Sequence, residues 1–277
     1  MPFLKLAHLS DLHLDLSPTS DAAARALVET LLAECVDHVV VTGDLTHQGA
    51  KAEFRRFQEI FAPLIETDRL TFIPGNHDRP GDDVVGRWMR GRKVCTVQRE
   101  GLYLVCLDST GLHNRSYFAS HGALSPAELD EVDGAAAAAP CEALTVLLLH
   151  HHVLPLPEES LPERLATRLG WPHAAELALG GQLISRLQGR CDLILHGHRH
   201  VPREFDLGGP PARHLRVYNS GSSAELGRFR LFQHAGGRLL GPPAWCQTSK
   251  APAPRTASHN FLPALQYLAS QLSTALF

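Results

Sequence analysis

Apolar runs that end in polar residues recur along the chain. Aliphatic and β-branched residues dominate five such runs, which predict buried strands at residues 3–9, 36–41, 70–73, 144–149 and 191–195. Between the first three runs, apolar positions repeat with helical spacing in residues 21–34 and 51–66. Strands that alternate with helices predict parallel strands in a layered α/β fold.

Shorter elements follow the third strand. Residues 93–100 and 102–107 predict two strands that meet at Gly101. Ser125 and Glu128 have the spacing of a capping box, which predicts the start of a helix. The sequence therefore predicts a hairpin and then a helix ahead of the fourth long strand.

Prolines and glycines divide the second half of the chain. Residues 153–172 contain four prolines and predict an irregular segment, which is either a lid over a site or a tolerated insertion. A helix is predicted over residues 174–187. Short apolar runs separated by glycine-rich turns then predict a second, antiparallel sheet from strands at 201–207, 213–218, 228–233 and 238–240.

The C-terminal part differs in composition from the rest. We expect a domain over residues 1–240 and a linker rich in Pro, Ala, Ser and Thr over residues 241–259. Apolar residues in 260–277 fall on one helical stripe, which predicts an amphipathic helix. Its apolar face would pack on the domain or form a homodimer. Membrane adsorption is disfavoured because the helix lacks Lys and Arg.

Charge and composition exclude several classes of protein. The net charge of −3 over 277 residues gives no sign of a basic surface, so the composition does not favour nucleic-acid binding. The six cysteines show no Cys-x-x-Cys spacing, which favours free thiols. The N-terminus does not have the pattern of a signal peptide, and no apolar run is long enough to predict a membrane span. A cytoplasmic location is therefore expected.

Metal-type ligands follow all five long strands. These polar residues are Asp11 and His13, then Asp44, then Asn76 and His77, then His150, His151 and His152, and last His198 and His200. Because α/β folds hold their sites at the carboxyl ends of strands, we expect one common site. Oxygen and imidazole donors without cysteine suit Mn, Fe or Zn.

In this order the motifs resemble those of the calcineurin-like metallophosphoesterases, and most closely the bacterial class III cyclic-nucleotide phosphodiesterases. The resemblance covers roughly residues 3–235 and rests on Asp11-x-His13, Gly43-Asp44, Gly75-Asn-His-Asp78, the histidines 150–152 and Gly197-His-x-His200. It implies an α/β fold in which two mixed β-sheets pack as a sandwich flanked by helices, in four layers. It also implies two metal ions where the strand ends meet.

The resemblance also implies a role for each residue of the site. The first metal would be bound by Asp11, His13 and His200, the second by Asn76, His198 and one histidine of 150–152, and both by Asp44. His77 would be an unligated catalytic residue beside the phosphoryl group. In the family the ligand stands two residues before a proline, which selects His151. Because Val153 replaces that proline here, His150 is left as the alternative.

The resemblance implies a hydrolase that cleaves phosphodiester bonds of a small substrate, such as a cyclic nucleotide. General two-metal chemistry predicts a metal-bridging hydroxide as the nucleophile. His77 would stabilise phosphoryl charge or protonate the leaving group. The alternatives are a phosphomonoesterase or a DNA nuclease with the same centre. A non-catalytic scaffold is disfavoured because the set of site residues is intact. Residues 1–240 leave little length for the capping domain of a nuclease.

Overall fold

Two sheets form the centre of the protein. The computed structural model describes residues 3–116, 119–157, 175–209 and 213–249. The first sheet has six strands in the order β11-β10-β1-β2-β3, with β12 also paired to β10. These strands are β1 Leu4–Leu9, β2 His38–Thr42, β3 Leu70–Ile73, β10 Arg228–Ala235, β11 Arg238–Leu239 and β12 Ala244–Gln247. Strands β1, β2 and β3 are parallel, and β10 is antiparallel to β1.

The second sheet also has six strands, in the order β4-β5-β6-β7-β9-β8. They are β4 Val94–Arg99, β5 Leu102–Leu107, β6 Leu144–Leu148, β7 Leu193–His196, β8 Arg203–Asp206 and β9 Arg216–Asn219. The four inner strands are parallel, while β4 and β8 are antiparallel edge strands. Both sheets are therefore mixed.

Helices cover the outer face of each sheet. Within the described ranges they are α1 Pro18–Ala33, α2 Lys51–Ile65, α3 Pro126–Ala137, α4 Gly180–Leu187 and the short α5 Ser223–Leu226. One apolar cluster joins α1 and α2 to the first sheet, a second joins α3 and α4 to the second sheet, and a third fills the space between the sheets. This arrangement is the predicted four-layer sandwich.

Local sequence explains where these helices begin. Ser17 caps α1, with Pro18 at the first helical position, so this helix starts earlier than the apolar spacing indicates. Ser125 and Glu128 form the predicted capping box of α3. Ahead of α2, the Glu53 carboxylate accepts the backbone N–H groups of Gln48 and Ala50, at 2.9 and 3.2 Å.

The predicted second antiparallel sheet does not form as a separate sheet. Strands β8 and β9 extend the second sheet, whereas β10 and β11 join the first. The reason is that β1 would otherwise leave an open edge, and β10 pairs with that edge over its full length.

The predicted linker does not hold at its start. Residues Ala244–Gln247 form β12, whose backbone pairs with β10, and the Thr248 N–H donates to the Gly227 carbonyl at 2.8 Å. The folded part therefore extends beyond residue 240. Most of residues 153–172 and the whole predicted helix at 260–277 lie outside the described residues, so these predictions stay open. None of the helices in the described ranges is both long and apolar enough to cross a lipid bilayer.

Candidate metal centre

The strand ends named above meet at one edge of the sandwich. Three of them follow β1, β2 and β3 of the first sheet, and two follow β6 and β7 of the second. Strand β2 delivers Asp44 through Gly43, whose φ of 89° only glycine adopts readily. The site is therefore built from both sheets.

Close packing at this edge depends on glycine. A Cβ atom on Gly75 would lie 2.2 Å from Asp44 Oδ1, and one on Gly197 would lie 2.3 Å from Asp11 Oδ2. A Cβ atom on Gly43 would lie 2.5 Å from His150 Nδ1. Any larger residue at these positions would displace a candidate ligand.

Asp11, His13 and His200 form the first group of donors. The Nε2 atoms of His13 and His200 lie 3.1 Å apart, and Asp11 Oδ1 lies 4.0 and 3.6 Å from them. Asp44 Oδ2 lies 3.7 Å from His13 Nε2. The potential ligand atoms of Asp11, His13 and His200 all lie within 4.8 Å of one another, close enough to surround a single ion.

Asn76, His150 and His198 form the second group. Asn76 Oδ1 lies 3.0 Å from His150 Nε2 and 2.9 Å from His198 Nδ1. Asp44 Oδ2 lies 3.4 Å from His150 Nε2. One oxygen of Asp44 is thus close to both groups, which is the position that a bridging carboxylate needs.

The geometry favours His150 over the predicted His151 as the ligand from the histidine cluster. Both ring nitrogens of His151 have protein partners, with Nδ1 at 2.8 Å from Ser109 Oγ and Nε2 at 2.9 Å from the Ser120 carbonyl. In His150, Nδ1 lies 2.8 Å from the Thr42 carbonyl, whereas the neighbours of Nε2 are themselves candidate ligands, Asn76 Oδ1 at 3.0 Å and Asp44 Oδ2 at 3.4 Å. His152 is buried and its ring stacks with that of His198 at 5.8 Å.

Burial makes these donor groups suited to binding cations. Asp11 and Asp44 are 0% and 2% exposed, and among the described residues neither forms an ion pair with Lys or Arg. Buried carboxylates without such partners are costly unless a cation neutralises them. Burial raises the pKa of Asp11 and lowers the pKa of His13 and His198, which keeps these imidazoles in the neutral form that binds metals.

Nearby carboxylates raise the pKa of two other histidines. Burial lowers the pKa of His150, but Asp44 and Asp11 outweigh burial and raise it to about 9. Burial also lowers the pKa of His200, but Glu225 and Asp11 outweigh burial and raise this pKa to about 9. The carboxylates therefore favour positive charge at both positions. Metal ions would supply that charge, so the residues present fit a centre of two ions.

His77 lies beside this set and keeps part of its surface exposed. Its backbone N–H donates to Asp44 Oδ1 at 2.8 Å, and its Nδ1 lies 2.9 Å from the His47 carbonyl oxygen. The His77 ring meets the His13 ring edge-on, with centroids 4.7 Å apart. His77 therefore lies next to the first donor group, and its predicted role as an unligated catalytic residue stays a prediction.

Supporting residues were less visible in the sequence. Glu225 Oε2 lies 3.4 Å from His200 Nδ1, and the Ser222 hydroxyl donates to the Asp11 carbonyl at 2.8 Å. Both belong to a Ser-x-x-Glu capping pattern that predicts only a helix start. The Asp78 carboxylate accepts the N–H groups of Gly75 and Thr46, and burial and Asp44 raise its pKa to about 6.

Comparison with known proteins agrees with this geometry. A curated relative from Vibrio vulnificus, 3′,5′-cyclic adenosine monophosphate phosphodiesterase CpdA, is 30% identical over 165 residues, which cover 54% of this chain and 56% of the relative. The protein of that name from Escherichia coli K12 is 31% identical over 179 residues, or 62% of this chain and 58% of the relative. The matches thus span little more than half the length of either relative.

A solved structure shares the fold. Purple acid phosphatase PPD1 from yellow lupin seeds superposes with a TM-score of 0.63, covering 90% of this chain and 52% of that chain at 13% identity. At this identity the likeness concerns the fold alone. A family model for calcineurin-like phosphoesterases matches residues 4–202, well over half of the 277 residues. The chain belongs to the calcineurin-like phosphoesterase family.

Proposed function

We propose that this protein is a metal-dependent phosphodiesterase that hydrolyses a small phosphodiester, such as a cyclic nucleotide, in the cytoplasm. The observation that carries the proposal is the position of Asp44, one oxygen of which lies 3.7 Å from His13 and 3.4 Å from His150. The names of the two relatives described above support the choice of a diester.

Seven residues would hold the two ions. The first would be bound by Asp11, His13 and His200, the second by Asn76, His150 and His198, and Asp44 would contact both. His150, the alternative that Val153 left open, replaces His151 in this assignment. Mn, Fe or Zn bound there would lower the pKa of water and neutralise charge on the phosphoryl oxygens.

In this proposal His77 is the proton donor, and a backbone carbonyl of the chain orients its ring. The carbonyl of His47 fixes the orientation of the His77 ring through Nδ1. In the protonated ring, Nε2–H remains as the donor for the oxygen of the leaving group. An alkoxide leaves poorly without a proton, so a donor at this position accelerates cleavage of an alkyl diester most.

Turnover of a substrate panel tests the proposal. The full chain, supplied in turn with Mn, Fe and Zn, would be given cyclic AMP, bis(p-nitrophenyl) phosphate and p-nitrophenyl phosphate. We expect two metal ions per chain and faster hydrolysis of the diesters than of the monoester. A clear preference for the monoester would replace the diesterase with a phosphomonoesterase.

Asp44→Asn is the matched variant for the metal centre. The amide has the size of the carboxylate and tolerates the left-handed backbone at this position, where φ is 51°. It lacks the charge that two cations need, so we expect loss of metal and of activity with an unchanged circular dichroism spectrum. Normal metal content in this variant would refute the dinuclear centre.

A further inference from the structure

Two cysteines face each other across the hairpin of β4 and β5. Cys95 is paired directly with Cys106 in the antiparallel register. Directly opposed residues in antiparallel strands have Cα atoms about 4.5 or 5.5 Å apart. Both distances lie inside the range of about 4.4–6.8 Å that disulfides span. The Cα separation of this pair is therefore compatible with a disulfide bond.

The two side chains share a face but differ in access. Both contact the apolar cluster between the sheets. Cys106 is 1% exposed, whereas Cys95 lies on the edge strand β4 and is only partly buried. A small oxidant can therefore reach Cys95 first, and Cys106 is the neighbouring thiol that can then react with the oxidised Cys95.

The surroundings also change the pKa values of the two thiols in opposite directions. The hydrogen bond with Cys106 lowers the pKa of Cys95 to about 7, and Arg92 and Arg90 act in the same direction. The same contact, together with burial, raises the pKa of Cys106 well above its usual value. Thiolates react with peroxides and thiols do not, so Cys95 is the nucleophile of the pair.

We propose that Cys95 and Cys106 are an oxidation site of this protein, at which a peroxide converts the pair reversibly to a disulfide. The Cys95 thiolate attacks one oxygen of hydrogen peroxide, the O–O bond breaks, and the departing hydroxide takes a proton to become water. Cys95 is then a sulfenic acid. The Cys106 sulfur attacks Cys95 sulfur, the S–O bond breaks, and hydroxide leaves with the Cys106 proton as a second water.

The site lies close to groups that support the metal centre. Strand β5 continues from Cys106 into Asp108, which accepts a hydrogen bond from Arg79 at 2.7 Å, and Ser109, which contacts His151 at 2.8 Å. A disulfide would tie this strand end to the edge strand. The inference does not rest on the proposed function, because the thiols can be assayed without any substrate.

Trypsin gives a direct test. Cleavage after Lys93, Arg99 and Arg115 separates the two cysteines into the peptides Val94–Arg99 and 100–115. The full chain would be treated with hydrogen peroxide, alkylated, digested and analysed by mass spectrometry. We expect the two peptides linked, lighter by two hydrogen atoms than their sum, and separated again by dithiothreitol.

Two variants complete the test. In Cys106→Ser the linkage should be absent, and Cys95 should be trapped as a sulfenic acid by dimedone. Cys141→Ser removes an exposed lone cysteine and should leave the linkage unchanged. The proposal is overturned if the wild-type peptides stay separate while Cys35 and Cys141 become oxidised under the same conditions.

Discussion

At Asp11, His13, Asp44 and His198 the backbone takes φ values of 53°, 46°, 51° and 69°. Such left-handed conformations cost about 1–3 kcal/mol each outside glycine and persist only where the surroundings impose them. Here the loops after β1 and β2 hold one another, since Asp11 N–H donates to the Gly43 carbonyl at 3.1 Å and His13 N–H to the Asp44 carbonyl at 2.9 Å. The donor atoms are thus fixed in place before any ion binds.

His150 and His151 offer a comparison between neighbouring residues. We expect His150→Ala to lose one of the two metal ions and at least about a hundredfold in activity, because charge stabilisation by a metal is worth several kcal/mol. His151→Ala should keep both ions and lose mainly stability through its contacts with Ser109 and Ser120. Elemental analysis of the purified variants checks this, and the reverse pattern would restore His151 as the ligand.

His77→Ala separates proton donation from charge stabilisation. As a proton donor, His77 matters for an alkyl leaving group and little for p-nitrophenolate, which leaves unprotonated. We expect a loss of about 100- to 10,000-fold on cyclic AMP and a much smaller loss on bis(p-nitrophenyl) phosphate, with both metals retained. Equal losses on the two substrates would assign His77 to charge stabilisation instead.

At the level of elements, the turn after β3 packs against the turn after β2 at Gly75. We expect Gly75→Ala to push Asp44 out of place, since its Cβ would lie 2.2 Å from Asp44 Oδ1 and 2.3 Å from Asp44 N. Both metal content and stability should fall. Gly134→Ala in α3 is the control, because a Cβ there meets nothing within 4 Å and alanine favours a helix by roughly 0.5–1 kcal/mol.

Calorimetric melting and metal analysis of the two glycine variants decide the matter. If Gly75→Ala melts like the wild type and keeps both metals, the close approach of the two turns is not what positions Asp44.

The strands that carry the site could be predicted because each is an apolar run that ends in Asp, Asn or His. The choice within residues 150–152 could not, since successive side chains point to opposite sides and the sequence does not say which side faces the other sheet. The pairing of β10 with β1 could not be predicted either. Its partner β1 lies more than 200 residues away in the chain, and no local pattern encodes such a pairing. Strand β12 was missed because Pro242 and Pro243 directly precede it.

At the level of the whole molecule, stability should depend on pH through His38. This side chain is 5% exposed and borders a cavity of about 180 Å³ at the end of the sandwich opposite the metal centre. Burial, with Arg99 acting in the same direction, lowers its pKa to about 4. An unfolded histidine has a pKa of about 6.5, so the unfolded chain binds more protons between these values.

Stability therefore falls as the pH drops from about 6.5 to about 4, by up to roughly 3 kcal/mol from this group, and levels off below that window. His38→Gln removes this titratable group, so the stability of the variant should fall less than that of the wild type over this pH range. Urea unfolding of both proteins at several pH values measures the difference. Parallel profiles would mean that His38 does not contribute.

Neither sheet alone carries the complete set of candidate ligands. Asp11, His13 and Asn76 come from the first sheet, whereas His150 and His200 come from the second. Bound ions would consequently stabilise the packing of the two sheets against each other. By linkage, any movement of one sheet relative to the other would weaken the binding of the ions. Activity would then depend on the relative position of the two sheets. It would be lost as soon as the sheets separate, even while each sheet still kept its own hydrogen bonds.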